Sequence, residues 1–160
     1  MKLAPVTTAR SLLVPAHAPG TFHCVQRCVR RAFLCGVDDY SGRSFEHRRE
    51  WIEQRLLDLA NHFAVALLGY AVMSNHLHVV LHIDPTTAAA WSDDEVARRW
   101  TALFPPGEDS DAARFAKQQV LLGNHERLAV CRQRLGSLSW FMRCLAVGAQ
   151  RLVAAQRPSR

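Results

Sequence analysis

The sequence lacks the features that mark membrane proteins, disulfide-rich proteins and zinc-stabilised domains. Charged or other polar residues interrupt every apolar run before it reaches the roughly 18 residues of a transmembrane helix. The five cysteines are odd in number and form no Cys-x-x-Cys pair, which argues against a disulfide framework and a structural zinc site. We therefore expect free thiols in a reducing cytoplasm and no membrane partner.

Tyrosine and lysine are also scarce. Tyr40 and Tyr70 are the only tyrosines, and Lys2 and Lys117 are the only lysines, so 18 of the 20 basic residues are arginine. Arginine binds phosphate through paired hydrogen bonds, and the formal net charge is +6, so the balance favours a nucleic-acid partner. A GC-rich genome would also enrich arginine, so charge alone leaves both explanations open.

The chain of 160 residues has the length of one domain. Its first apolar runs are broken by Arg10, Pro15 and Pro19, unlike the continuous apolar segment of a signal peptide. We predict a short leader at residues 1–19, a core domain at 20–84 and a helical extension at 85–160.

Hydrophobic periodicity predicts a β-α-β-β order for the core. Residues 21–29 have strand composition, and Ser44 is predicted to cap a helix that runs to about Asn61. Residues 63–73 form a near-continuous apolar run that is typical of a buried strand. A tight turn at Ser74 and Asn75 leads into a second strand at 76–83, so these two strands should form an antiparallel hairpin.

The spacing of apolar residues predicts further helices at 88–104, at 109–122, at 126–135 and from Ser137 onward. Trp91, Trp100, Trp140 and Phe141 fall on the core-facing sides, which favours packing over stacking on nucleic-acid bases. The expected fold class is α+β. It is a small ferredoxin-like antiparallel sheet with helices on one face, followed by extra C-terminal helices.

The strand at 76–83 (HLHVVLHI) carries the most informative residues. His76 and His78 lie at positions i and i+2, about 6.6 Å apart along one face, so both imidazoles could hold one divalent cation. Leu77, Val79 and Leu81 point to the opposite, packed face. His82 shares the parity of the pair but lies about 13 Å beyond His78, which favours the role of a polar residue at the strand end.

An isolated His-x-His unit does not identify a protein class. It occurs among structural histidines, in cupin-like barrels and in metallo-hydrolases. Val80 and Leu81 exclude the metallo-β-lactamase pattern H-x-H-x-D-H, and the chain contains neither of the H-x-T or H-x-S units of the two-histidine phosphoesterases.

The context of this unit closely resembles a known family. Residues 69–83 (GYAVMSNHLHVVLHI) resemble the signature strand pair of the HUH single-tyrosine transposases, above all the REP-associated branch. The upstream segment 21–36 (TFHCVQRCVRRAFLCG) resembles that family's first strand, and 137–145 (SLSWFMRCL) resembles a helix that follows the family's core hairpin. The resemblance covers most of residues 20–145.

The resemblance implies a specific chemistry. A divalent metal, Mg²⁺ or Mn²⁺, would bind His76 and His78 and polarise a scissile phosphate. A tyrosine would attack the phosphorus and remain joined to the 5′ end, so that the free 3′-OH can later reverse the reaction. The implied partners are single-stranded or hairpin DNA, with assembly as a homodimer or as a heterodimer with an intact relative.

Five arginines are candidates for contacts with DNA phosphates: Arg27, Arg30 and Arg31 after the first strand, and Arg48 and Arg49 on the first helix. The alternative for each is a solvated surface position. Asn75 either makes the turn or orients a ligand histidine through its amide, and the turn is favoured.

The sequence departs from the family at the nucleophile. The family's tyrosine lies downstream of the H-x-H strand, whereas Tyr40 and Tyr70 both precede His76. A third ligand, a carboxylate or an amide, is also missing, although Mg²⁺ and Mn²⁺ prefer oxygen ligands. We expect a C-terminally truncated copy whose activity stays open. The alternatives are a catalytically inactive DNA-binding remnant or regulator, an unrelated metal-dependent hydrolase and a poorly folding remnant.

Overall fold

The computed structural model describes residues 18–27, 34–37, 42–108 and 110–154, and these residues form three strands and six helices. The core consists of β1 (Gly20–Arg27), α1 (His47–His62), β2 (Val65–Val72) and β3 (His76–Ile83). The helices that follow are α2 (Pro85–Ala90), α3 (Asp93–Leu103), α4 (Asp111–Leu122), α5 (His125–Leu135) and α6 (Leu138–Ala154). The α+β class is confirmed.

The three strands form one antiparallel sheet in the order β1-β3-β2. β3 is the central strand and pairs along its whole length with β1, from Gly20 opposite Ile83 to Arg27 opposite His76. On its other side it pairs with β2, where the register shifts between Leu67 and Gly69. A β-α-β unit with a third strand inserted between its two parallel strands is the split arrangement of ferredoxin-like folds.

The sheet has one packed face and one open face. Along β3 the exposed fractions of Leu77, Val79 and Leu81 are 2%, 0% and 0%, whereas the alternating even-numbered residues are only half-buried. The packed face joins a core that includes Leu56 of α1 and Phe141 of α6. The alternation therefore leaves the histidines of β3 on the face away from this core.

Two predicted boundaries of the core elements are wrong by a few residues. Ser44 does not cap α1, because it forms an isolated bridge with Val37, and the helix begins three residues later. The first hairpin strand begins at Val65 rather than at residue 63. Phe63 ends α1 through a backbone bond to Leu59, and the N–H of Ala64 donates to Leu135 of α5.

The helix predicted at 88–104 is in fact two helices. The Asp84 carboxylate accepts from the N–H of Thr86 and starts α2, with Pro85 in the first turn, where a missing N–H is tolerated. The chain then becomes extended at Trp91 and Ser92, and the Ser92 hydroxyl accepts from the N–H of Glu95 to start α3. A serine that caps a helix from within a segment of continuous helical periodicity thus marks a break between two helices.

The prediction that the large aromatic residues of the C-terminal helices pack into the core is confirmed. Trp100 and Phe141 are buried, and Trp91 and Trp140 are partly buried against the core. Burial also raises the pKa of the Cys131 thiol, and none of Cys24, Cys35, Cys131 and Cys144 forms a disulfide. In the described part of the chain, none of the helices combines the length and apolar content that crossing a bilayer requires.

Candidate metal centre

Both sequence-predicted metal ligands lie on the open face of β3. His76 is the first residue of the strand and His78 is two residues further on, and both are half-buried. Their ring centroids are 6.3 Å apart, close to the spacing expected for side chains at i and i+2 of a strand. The strand assignment and the shared face that the sequence predicted for this pair are therefore both observed.

The His76 ring is held by the residue that precedes it. Its Nδ1 lies 2.7 Å from Oδ1 of Asn75, and since an amide oxygen only accepts, Nδ1 carries the proton. The other ring nitrogen, Nε2, then keeps its lone pair for a ligand. Asn75 also belongs to the turn, where the N–H of Met73 donates to the carbonyl of His76 at 2.8 Å, so the residue lies in the predicted turn and also holds the His76 ring.

The His78 ring is held across the sheet by His23 of β1. Nδ1 of His78 and Nε2 of His23 are 3.0 Å apart, and the ring planes differ by only 21°. The ring centroids are 5.2 Å apart, which is 2.2 Å more than the separation of the nitrogens. This difference corresponds to the two centroid-to-nitrogen radii, so the rings meet edge to edge in one N–H···N hydrogen bond rather than stacking face to face.

His23 is the site residue that the sequence did not single out. In the register of the sheet it lies opposite Val80, diagonal to His78, which lies opposite Val25. The alternation of β1 puts His23, Val25 and Arg27 on the exposed side, and that signal was present in the sequence. The pairing with His78, 55 residues away, depends on a register that the sequence of β1 does not encode locally.

The turn that carries His76 is fixed by the start of α1. The Arg49 guanidinium donates to the carbonyl of Val72 at 2.9 Å and to the Glu46 carboxylate at 2.7 Å. The same carboxylate accepts from the N–H of Gly36 at 2.7 Å, and the N–H of Leu34 donates to the carbonyl of Ser74 at 2.6 Å. Hydrogen bonding from Arg49, then from Gly36, lowers the pKa of Glu46, so the carboxylate stays charged in this network.

The five arginines proposed for DNA contact occupy different environments. Arg27 is exposed on the open face, directly opposite His76 in the strand register. Arg48 is buried with its guanidinium 4.3 Å from the centre of the Phe45 ring, and Arg49 is engaged at the turn, so neither presents a guanidinium to that face. Arg30 and Arg31 lie outside the described residues.

Tyr70 lies on the opposite side of the sheet from the histidine pair. It is paired with Val79, and residues directly opposite each other in an antiparallel pair share one face. The Tyr70 side chain is 40% exposed and projects from the face away from the two histidines. Tyr40 lies outside the described residues. His82 is hydrogen-bonded through Nδ1 to the Thr21 hydroxyl at 3.0 Å, as suits a polar residue near the strand end.

The donor set suits a cation that takes part of its coordination from its substrate. No cluster of three or more His, Cys, Asp or Glu side chains able to bind a metal occurs within the described ranges, so the pair supplies two nitrogens. Two imidazoles at neighbouring positions of an octahedral ion need centroids about 4.6 Å apart, from a metal–nitrogen distance of about 2.1 Å. The observed 6.3 Å requires one ring to turn inward, and oxygen ligands from phosphate and water would complete the site.

The resemblance to the HUH transposases is carried by residues 69–83 and by the two flanking segments. The geometry adds that the two histidines of this block share an open sheet face and that each has its Nδ1 in a hydrogen bond. Comparisons of the chain with protein-family models, with curated proteins and with solved structures found no match.

Proposed function

We propose that this chain is a DNA-binding protein of the HUH transposase type. In this proposal His76 and His78 hold a divalent cation, Mg²⁺ or Mn²⁺, against a phosphate of single-stranded or hairpin DNA. The observation that carries the proposal is the position and hydrogen bonding of the His76 and His78 rings. Both lie on the open face with Nδ1 in a hydrogen bond, and no described residue bonds to either Nε2.

Each residue of the open face has a defined task in this proposal. The cation, when bound, polarises the phosphate and stabilises charge on the departing oxygen. The two imidazoles hold it in place, Asn75 and His23 fix their rings, and Arg27 contacts a neighbouring phosphate from the strand position opposite His76. The Arg49 and Glu46 network keeps the turn, and with it His76, in a fixed position relative to α1.

A second candidate function is DNA binding without cleavage, as in a regulator of intact relatives. The position of Tyr70 opposite Val79, on the other face of the sheet from the histidine pair, favours it, because the covalent chemistry of the family needs a tyrosine beside the metal-bound phosphate. The two candidates share the same cation and the same DNA face. They differ only in whether a covalent protein–DNA bond forms.

One assay separates the two candidates. The protein is incubated with end-labelled single-stranded hairpin DNA, with and without Mn²⁺, and the products are separated on native and on denaturing gels. A retarded native band that depends on Mn²⁺ and on His78, without a covalent band, is the result expected for the regulator. A covalent band that Tyr40→Phe abolishes assigns the full nicking activity. Absence of DNA binding at low salt, where phosphate contacts are strongest, would overturn both.

A further inference from the structure

The hydrogen bond between His23 and His78 has two possible proton arrangements with opposite consequences. If Nδ1–H of His78 donates to Nε2 of His23, then Nε2 of His78 has a free lone pair. If Nε2–H of His23 donates instead, the proton of His78 moves to its own Nε2, and that nitrogen can no longer bind a cation. The proton shared by this pair therefore decides whether His78 is a ligand.

We propose that His23 is a positioning residue that accepts the Nδ1–H of His78 and thereby fixes His78 as the preformed ligand of the pair. This inference rests on the proposed function, because it assigns His23 a role toward the cation at His76 and His78. Metal-binding histidines commonly donate their second ring N–H to a carboxylate, a carbonyl or water. Here the imidazole of His23 on the neighbouring strand takes that place.

The sheet makes this partner rigid. His23 and His78 project from two strands that are hydrogen-bonded over eight residues each, whereas the partner of His76 is the adjacent turn residue Asn75. Because the centroids of His76 and His78 are too far apart for neighbouring positions on one ion, one of these rings has to turn. The bond to a paired strand restrains the His78 ring more than the bond to a turn residue restrains the His76 ring, so we expect His76 to make the larger rotation when a cation binds.

The test uses one removal, one conservative rescue and one matched control. His23→Leu removes the acceptor at an exposed position, and His23→Gln restores an acceptor through its amide oxygen. His82→Leu is the control, because it removes an imidazole from the same face together with its cross-strand bond to Thr21. The readouts are ring-nitrogen NMR of the metal-free proteins, which reports the tautomer of His78, and Mn²⁺ titration followed by broadening of the ring signals.

We expect His78 to carry its proton on Nδ1 in the wild-type protein, in His23→Gln and in His82→Leu. In His23→Leu this preference should be lost and the Mn²⁺ affinity should fall roughly 10- to 100-fold. The inference is overturned if wild-type His78 carries its proton on Nε2, or if His23→Leu keeps the wild-type tautomer or the wild-type Mn²⁺ affinity. If the wild-type protein does not bind Mn²⁺, the proposed cation site fails, while the metal-free spectra still decide what His23 does to His78.

Discussion

Three histidines on the same face of β3 differ mainly in what holds them. His76 is held by the adjacent Asn75, His78 by His23 across the strands, and His82 by the Thr21 hydroxyl. Sequence parity alone grouped all three, and distance along the strand separated His82 from the pair. At the scale of single residues, the neighbours of a ring decide whether its second nitrogen is presented to a ligand.

This difference predicts the effect of removing each ring. We expect His78→Ala to lower the affinity for Mn²⁺ at least 10-fold, because one of two nitrogen ligands is lost, whereas His82→Ala should leave it within about twofold. Neither ring is part of the buried core, so the free energy of unfolding should change by less than about 1 kcal/mol in both variants. Mn²⁺ titration and urea unfolding measure the two quantities. Equal losses of affinity in the two variants would contradict the assignment of the pair.

Arg27 offers a second test at the residue scale, through the salt dependence of DNA binding. Each phosphate contact contributes about 0.7 to the slope of log affinity against log salt for a single strand. We expect Arg27→Gln to reduce that slope by about 0.7, and Arg127→Gln, at an exposed position of α5, to leave it unchanged. Fluorescence anisotropy with a labelled hairpin across a salt series measures the slope. An unchanged slope in Arg27→Gln would contradict the phosphate contact proposed for Arg27.

Among the elements, the hairpin turn and the start of α1 are linked by the carboxylate of Glu46. Its hydrogen bonds with Arg49 and with the Gly36 N–H hold its pKa below the ordinary value. A carboxyl group whose pKa is lower in the folded state stabilises the fold fully above its ordinary pKa, and this stabilisation disappears as the pH falls through the folded pKa. Glu46 therefore stabilises the fold at neutral pH and no longer does so in acid.

We expect Glu46→Gln to lower the Tm at pH 7, with a difference from wild type that narrows once the pH falls below about 4.3, the ordinary pKa of glutamate. Glu50→Gln removes an exposed carboxylate from the first turn of the same helix and should have a smaller effect. Thermal unfolding followed by circular dichroism between pH 3 and pH 7 measures both differences. A Tm difference for Glu46→Gln that does not change with pH would exclude this role of the carboxylate.

The break between the helices α2 and α3 depends on Ser92, which caps the start of α3. Its hydroxyl accepts from the N–H of Glu95 at 3.2 Å, so Ser92→Ala should destabilise the protein by about 1 kcal/mol. Ser139→Ala, at an exposed position in the first turn of α6, should change stability by less than about 0.5 kcal/mol. Urea unfolding provides the comparison. Equal effects in the two variants would show that Ser92 does not act as a cap.

For the whole molecule, local patterns in the sequence predicted the elements and their buried faces. They did not predict the contacts between separate segments of the chain. The bounds of β3 and its two faces followed from alternation, because a strand with one packed side encodes its own orientation. The start of α1 was wrong because Ser44 pairs with Val37, and His23 was missed because its partner is 55 residues away. Neither contact has a signal in the adjacent sequence, since both depend on how separate segments meet.

The alternation of exposed and buried residues along β3 also makes the geometry of the candidate site depend on the folded state of the core. Leu77 lies between the two site histidines, so a slip of one residue would bury both rings and bring this leucine into water. The strand is bonded on both sides, and its amides should therefore exchange with solvent only when much of the domain opens. A chain that retains a folded sheet thus also retains its two neighbouring imidazoles on the open face.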